Sequence, residues 1–513
     1  MDLRHKFFRS VIQKVKELAK KGTSLLKNKS EKYFSGLRGY AVKTYHSTAL
    51  HLKRHRRRMK LRRHLRFARP GFLRNTWFLA SMWVAILSAV LLAVISLVAD
   101  AEFFGPDSWF FSNFYIIFAL IPIIHVVFLI VLFFFYHPPK RRFPLNKIPG
   151  CTVIMPAYNE GHHVVETLQS ILNADYPPEK LEIIAVNDGS KDDTLDWINS
   201  VANTCGNRIT VIDLPQNCGK KHALAAGIRM AKFDYIITVD SDSVIYPDAV
   251  KKLIDAFADP RIGAVAGNLR AKNDFKNFYT LIMDVLLVLN CEFMRSAQSV
   301  TGTVFCTPGA LSAYRRSVLL PRLDEWLNQT FMGGPAKIGE DRAIATLILR
   351  SGYHIVNQRD AIAETTLPEN YERLCKMLLR WTRSDFRENI VMTVFVLDGL
   401  KELSWRTVFL FLHWLLLGLN LLLPVVFLPI SIITVFAAPH FLPSLSYFFL
   451  SCILWNLIPC FFYGKARSFP MMIWCCVFGL FTSLALSWIS FYALVTIHNS
   501  NWLTRTVPAK KTA

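Results

Sequence analysis

No CxxC pair occurs among the ten cysteines, and their spacing follows no regular pattern. Two of them, Cys475 and Cys476, are neighbours inside an apolar run. That excludes a disulfide framework and a zinc site and implies a reduced compartment. Charge is also scarce. Only 19% of the 513 residues are charged, against 52% apolar and 13% aromatic, a balance too apolar for a wholly soluble chain. Acids almost vanish from residues 1–74, where Asp2, Glu17 and Glu31 face 23 Lys and Arg. Of the net charge of +23, +20 therefore lies in that tail, and the remainder is nearly neutral. A nucleic-acid-binding core is excluded by that distribution. No short apolar core follows the charges of the first 30 residues, so a cleaved secretory signal is not expected.

What the chain does have is long apolar runs, at 77–99, at 110–136 and between 407 and 497. Each reaches the ~20 residues that span a hydrocarbon core of ~30 Å. Residues 137–406 return to the composition of a soluble α/β protein. The expected organisation is a basic cytoplasmic tail (1–74), two transmembrane helices (75–136), a cytoplasmic domain (137–406), transmembrane or interfacial helices (407–497) and a terminal segment (498–513). In the tail, Phe7, Phe8, Val11, Ile12, Val15 and Leu18 share one helical face, and a basic run follows from Lys53 to Arg58. This pattern suits adsorption to anionic lipid head groups, and equally a tail that only sets topology. The loop with Asp100, Glu102 and Asp107 carries no Lys or Arg, whereas Lys140, Arg141 and Arg142 open the next one. The positive-inside rule puts the tail and the central domain together on the cytoplasmic side. Three candidate spans follow, at 407–437, 441–463 and 470–497. Three full crossings would leave the C-terminus outside; a cytoplasmic end requires one of them to be re-entrant, interfacial or a disguised pair.

Within the central domain, short β-branched runs at 152–155, 181–186, 209–214 and 235–239 alternate with amphipathic stretches at 161–173, 192–201 and 220–232. Such alternation predicts a mostly parallel sheet covered by helices, with ligands beyond the carboxyl ends of the strands. Polar clusters stand at those ends: Tyr158, Asn159 and Glu160; Asn187, Asp188, Gly189 and Ser190; Asp240, Ser241, Asp242 and Ser243. Two carboxylates in D-x-D spacing can hold a hard divalent cation and leave room for a diphosphate. That signal is weak alone, but here an apolar strand delivers it to a ligand-binding edge. Asp188 suits a base or ribose, or a helix N-cap. Lys220 and Lys221 beside a helix start suit a base or diphosphate, or a surface basic patch. Gly339, Glu340, Asp341 and Arg342 open an amphipathic helix ending near Arg350. An acid there can deprotonate an attacking hydroxyl, or merely complement the helix dipole.

Together these motifs resemble the processive family 2 glycosyltransferases, and within them hyaluronan synthases and rhizobial chitin-oligosaccharide synthases, over roughly 151–505. The most specific stretches are Ser296, Ala297, Gln298, Ser299, Val300, Thr301 and Gly302, then Cys306, the run 309–316, and Asn328, Gln329, Thr330 and Phe331 leading into the Gly-Glu-Asp-Arg segment. The resemblance implies a GT-A-like α/β fold set between transmembrane helices, a UDP-sugar donor, and Mg²⁺ or Mn²⁺ held by Asp242. It makes Tyr158, Asp188, Lys220 and Asp240 nucleotide-binding candidates, Asp341 the catalytic base, and Cys306 part of the acceptor pocket. The family's Q-x-x-R-W signature is partial: Arg380 offers a diphosphate cation and Trp381 a stacking platform, but Met377 stands at the glutamine position. Trp502, Leu503, Thr504 and Arg505 resemble the W-G-T-R gating loop, with leucine for glycine; the resemblance implies a loop that closes over the nucleotide, with Arg505 binding it, and a cytoplasmic C-terminal end, whereas the residues alone equally suit a membrane-border anchor. The implied product is a β-linked, hyaluronan- or chitin-like polysaccharide containing N-acetylglucosamine, passed across a bacterial plasma membrane. The rival is a non-processive enzyme adding single sugars to a lipid carrier.

Overall fold

Strands that are apolar on both faces need cover on both sides, and the central strands of this chain have it. The computed structural model describes residues 109–139, 142–206, 208–402, 404–437 and 459–500, all within one unit, Phe78–Ala513. The basic tail, the first apolar run and residues Trp502, Thr504 and Arg505 lie outside them. β1 (Cys151–Ala157) is buried at every position, and β2 (Leu181–Asn187) at every position but Glu182. With β3 (Ile209–Asp213), β4 (Tyr235–Thr238), β5 (Val244–Ile245), β6 (Ile262–Ala271), β7 (Ser312–Arg315) and β10 (His354–Thr365) they form one sheet in the order β3-β2-β1-β4-β7-β6-β10-β5. A separate small hairpin joins β8 (Thr330–Phe331) to β9 (Gly334–Pro335).

The four strands expected from sequence are mutually parallel: β1 pairs with β2 and β4, and β2 with β3. β7 runs antiparallel to both β4 and β6, so the sheet is mixed. The parallel register decides where the chemistry gathers. Ala157 lies opposite Asn187, so Tyr158 and Asp188 leave the sheet at the same edge, and Asp240 follows β4 there.

Helices cover both faces. The α-helices of six residues or more among the described residues are, in chain order, α1 (Trp109–Phe135), α2 (His163–Leu172), α3 (Thr194–Thr204), α4 (Lys220–Met230), α5 (Ala249–Ala256), α6 (Phe278–Leu287), α7 (Arg295–Val300), α8 (Glu340–Arg350), α9 (Tyr371–Gly399), α10 (Trp405–Ala437), α11 (Ile473–Phe481) and α12 (Trp488–Val495). The core under α4 and α8 joins Ile154, Ile184, Leu224 and Ile228 to Ile344, Ile348 and the fully buried Trp326. Removing several such side chains from water supplies most of the drive to fold, at about 1.5–3 kcal/mol each.

Two helical segments, Trp405–Val425 and Phe469–Leu486, are long and apolar enough to cross a membrane, and Ile121–Phe135 is a shorter apolar helix. The run 470–497 is not one straight helix. A 3-10 turn (Phe469–Met472), α11, a π-helical stretch (Thr482–Leu486) and α12 follow one another. Its end packs along the amphipathic α9. Tyr371 Oη donates to the Ala485 carbonyl at 2.6 Å, and Arg383 Nε and Nη2 donate to Thr496 Oγ1 at 3.0 and 2.7 Å.

α8 begins after Gly339, whose φ of +70° is a left-handed conformation that glycine adopts without strain. A methyl group there would also overlap Ser384 Oγ on α9. Gly339→Ala is therefore expected to destabilise the protein by about 1–3 kcal/mol through overpacking, with backbone strain added. Thermal unfolding of the detergent-purified variant, read against Gly352→Ala, checks this. Gly352 also has positive φ (+83°) but open space around its Cβ position, so it isolates the steric part.

Candidate active site

β4 is apolar up to Thr238, and the chain then turns sharply, the Ser243 N–H donating to the Asp240 carbonyl at 3.0 Å. That turn presents the D-x-D carboxylates at the sheet edge. Asp242 is half-buried, and one of its oxygens accepts from Ser243 Oγ at 3.3 Å. Asp188 is buried, and its two carboxylate oxygens accept the Cys218 and Gly219 N–H groups, each at 2.9 Å. It thereby pins the turn that starts α4, rather than capping a helix of its own.

Lys220, the first residue of α4, reaches between two acids: Nζ lies 2.5 Å from Asp240 and 3.0 Å from Glu340. Gly309 makes room for it, because a Cβ there would stand 2.5 Å from that Nζ. Lys221 points the other way and donates to the Ala336 carbonyl at 2.7 Å, tying down the segment before α8. The alternative of a surface basic patch is thus overturned, since Lys221 is buried and Lys220 is largely enclosed by its ion pairs. Burial disfavours the charged form of Lys220, yet Asp240 and Glu340 hold it above the ordinary lysine range.

Glu340 and Asp341 start α8 and are driven in opposite directions. Burial would raise Glu340, but Lys220 and then Arg380 lower it to about 2. Burial, and then the negative charge of Glu340, push Asp341 up to about 6, against the pull of Lys220 and the Arg342 N–H. Two adjacent carboxyls driven apart in this way are the arrangement that acid–base chemistry uses. Asp341 Oδ1 accepts the Arg342 N–H at 2.8 Å, and Cys306 Sγ stands 3.6 Å from Oδ2 as a donor. Burial, and then Asp341, keep that thiol protonated. Thr307 Oγ1 donates to the Asp341 carbonyl at 3.1 Å, and Tyr314 Oη donates to Thr307 Oγ1 at 3.0 Å.

The same edge therefore gathers Asp188, Lys220, Asp240, Asp242, Glu340, Asp341 and Cys306. Tyr158 follows β1 there and is buried. Arg380 and Trp381 come from α9, with Trp381 36% exposed, an available ring face.

The model of the family described as Glycosyl transferase family 2 matches residues 152–320. An N-acetylglucosaminyltransferase of Rhizobium meliloti (strain 1021) is 33% identical over 360 residues, covering 70% of this chain and 82% of the relative. A hyaluronan synthase of Streptococcus pyogenes is 32% identical over 360 residues, covering 69% and 82%. The chain belongs to the family 2 glycosyltransferases. An N-acetylglucosaminyltransferase of Rhizobium leguminosarum bv. viciae is 36% identical over 265 residues, where the match spans 62% of the relative's length and 52% of this chain. Among solved structures, a mannosyltransferase from Pyrobaculum calidifontis in complex with GDP-Man and Mn²⁺ superposes with a TM-score of 0.50 at 20% identity, covering 76% of this chain and 99% of that one. The glycosyltransferase domain is thus GT-A-like, as expected from its sequence.

Within this family 2 glycosyltransferase, Met377 packs with Leu378 against the apolar cluster of Leu374, Leu486 and Ile489. A thioether at the motif's glutamine position serves the contact between α9 and the C-terminal run. Sequence reasoning missed the role of Glu340 as the charge that separates the two carboxyls, and the Arg342–Asp385 ion pair at 3.1 Å. The adjacency of Glu340 and Asp341 was a visible signal for the first. Nothing local announced the second.

Proposed function

We propose that this glycosyltransferase is a membrane-embedded, inverting polysaccharide synthase that joins UDP-sugars into a β-linked, N-acetylglucosamine-containing chain and passes it across the membrane. The observation that carries the reading is the placement of Asp341: a partly buried carboxyl facing the Cys306 thiol at the edge where Asp188 and Asp240 converge, pushed up to about 6 by its surroundings and then by Glu340. A base of that strength takes a proton from a sugar hydroxyl near neutral pH. The hydroxyl then attacks the anomeric carbon opposite the departing diphosphate, which inverts the centre. Trp381 would stack on the acceptor ring and Cys306 would line its pocket. Tyr158, Asp188, Lys220 and Asp240 would surround the nucleotide, with Arg380 on the diphosphate.

Among the described residues no cluster of three or more His, Cys, Asp or Glu could hold a metal by itself. The D-x-D turn fits a hard cation that takes one or two carboxylates and fills its other positions with phosphate and water. Asp242 would hold Mg²⁺ or Mn²⁺, which when bound supplies positive charge to the leaving diphosphate; the mannosyltransferase of similar fold was solved with Mn²⁺. Excess EDTA is expected to lower polymer synthesis at least ~10²-fold, with Mg²⁺ or Mn²⁺ restoring it, and Asp242→Ala to do the same without rescue. Full synthesis in chelator removes the metal role.

Trp502, Thr504 and Arg505 would close over the donor from the cytoplasmic side. The contact of Thr496 with Arg383 supports this, because it starts the terminal segment beside α9, one turn from Arg380. The central domain would face the cytoplasm of a bacterial plasma membrane, with the basic tail on anionic lipid. The deciding test supplies the purified full chain with UDP-N-acetylglucosamine, UDP-glucuronate and both, and measures product size. High-mass polymer is expected whenever UDP-N-acetylglucosamine is present. Single-sugar products on added lipid phosphate instead would establish the non-processive rival.

A further inference from the structure

Trp381 and Asp385 are four residues apart on α9 and so share one helix face. Both are partly open, Trp381 at 36% and the Asp385 side chain at 37% exposed, whereas their neighbours Arg383, Ser384 and Arg387 are buried. Asp385 Oδ1 lies 3.1 Å from Nη1 of Arg342, the residue that follows Asp341. Arg342 itself is buried, with its ring-stacking contact to Phe305 at 6.0 Å, and its Nε and Nη2 have no hydrogen-bond partner among the described residues. Asp385 is thus the outward-facing member of a pair whose cation is sealed inside. The pair adjoins Cys306, whose thiol feels the charges of Asp341, Arg295, Arg342 and Asp385.

An aromatic ring with a carboxylate one turn away is suited to a sugar. The ring takes the apolar face of the pyranose, and the free carboxylate oxygen accepts from hydroxyl or amide N–H groups at its edge. Arg342 fixes the orientation of Asp385, so little freedom is lost when a sugar binds. The same negative charge disfavours a sugar that carries its own carboxylate. Two like charges a few Å apart at a partly desolvated site repel strongly enough for a tenfold or larger difference in affinity, on the order of magnitude Coulomb's law allows.

We infer that Asp385 is an acceptor-binding, specificity-determining residue that selects an uncharged, N-acetylhexosamine-type acceptor end over a uronic acid. This rests on the polysaccharide-synthase reading and narrows it: the acceptor is chitin-like rather than hyaluronan-like.

The test titrates the purified full chain with chitotetraose and with a hyaluronan tetrasaccharide ending in glucuronate, reading tryptophan fluorescence, and repeats it with Asp385→Asn and Asp385→Ala. Wild type is expected to bind chitotetraose at least ~10-fold more tightly. Asp385→Asn keeps the size and a hydrogen bond to Arg342 but removes the charge, so it should narrow that ratio several-fold by gaining affinity for the uronate oligosaccharide. The transfer assay should show the change in acceptor KM rather than in the UDP-sugar KM. A counter-ion role for Arg342 alone predicts a lower kcat and melting temperature with an unaltered ratio, and that result overturns the inference. Wild type that prefers the uronate oligosaccharide, or binds neither, overturns it as well. Polymer made from UDP-N-acetylglucosamine in those cases would leave the broader reading standing; no polymer from any UDP-sugar would remove that reading instead.

Discussion

Asp341→Asn is expected to slow sugar transfer by roughly 10²–10⁴-fold while UDP binding stays nearly unchanged. The substitution keeps the shape of the side chain and can still accept the Arg342 N–H bond, so the start of α8 should not move. What it removes is the basic oxygen facing the Cys306 thiol. The pH dependence of the wild type carries the same information. The Asp341 carboxyl is raised to about 6, by burial and then by Glu340. A base works only when ionised, so the rate should be full above that value and fall about tenfold for each pH unit below it. In Glu340→Gln the neighbouring negative charge is gone, so the midpoint should move down. A midpoint that moves up, or Asp341→Asn with wild-type turnover, would take the base away from Asp341.

The strands that carry the site were legible because each is a short apolar run ending in a polar cluster. The run at 152–155 is the centre of β1, and those at 181–186 and 235–239 match β2 and β4 to within one residue. β6 and β10 were not, although they are the longest strands. Asn268, Arg270, Asn357 and Gln358 interrupt their apolar pattern, and these polar residues are buried only because distant partners meet them. Asn268 bonds the Arg359 carbonyl at 2.9 Å, and Asn357 bonds the Cys291 carbonyl at 3.0 Å. Such pairings join residues some 66–91 positions apart and leave no local periodicity. The site divides in the same way. Asp188, Asp240, Asp242 and Asp341 stand out because they interrupt apolar patterns at element ends. Part of the electrostatics that set their behaviour, the charges of Lys220 and Arg380, comes from α4 and α9, which the tertiary fold alone brings to the sheet edge. The C-terminal runs have a related history. Composition made 470–497 one apolar stretch, but a π-helical segment, Thr482–Leu486, interrupts it between α11 and α12, where Tyr371 at the start of α9 bonds the Ala485 carbonyl.

Lys220→Met tests that long-range electrostatic link most directly, and it should destabilise the protein by about 3–5 kcal/mol. That is the usual consequence of removing one partner from a buried ion pair, because the remaining charge keeps its desolvation cost without its counter-charge. Here the orphaned group is chiefly Glu340, buried and held ionised by Lys220 and Arg380. Asp240 is more open, with 30% of its side chain exposed, and water can take over part of its solvation. Methionine is close to the lysine stem in shape and fits beside Gly309, so the loss reports charge rather than a cavity. Transfer activity should fall as well, since Asp240 and Glu340 then repel with no cation between them. Activity alone cannot separate a collapsed site from a missing contact, so the second substitution matters. If the cost is the uncompensated carboxylate, Lys220→Met with Glu340→Gln should be more stable than Lys220→Met alone by at least about 1 kcal/mol, a coupling energy of the size that buried contacts give. Thermal unfolding of the four proteins in one detergent closes that cycle. Additive effects, or a single Lys220→Met variant as stable as the wild type, would mean that Lys220 is not the counter-ion that keeps Glu340 charged, and the account of how Asp341 is lifted to about 6 would fail with it.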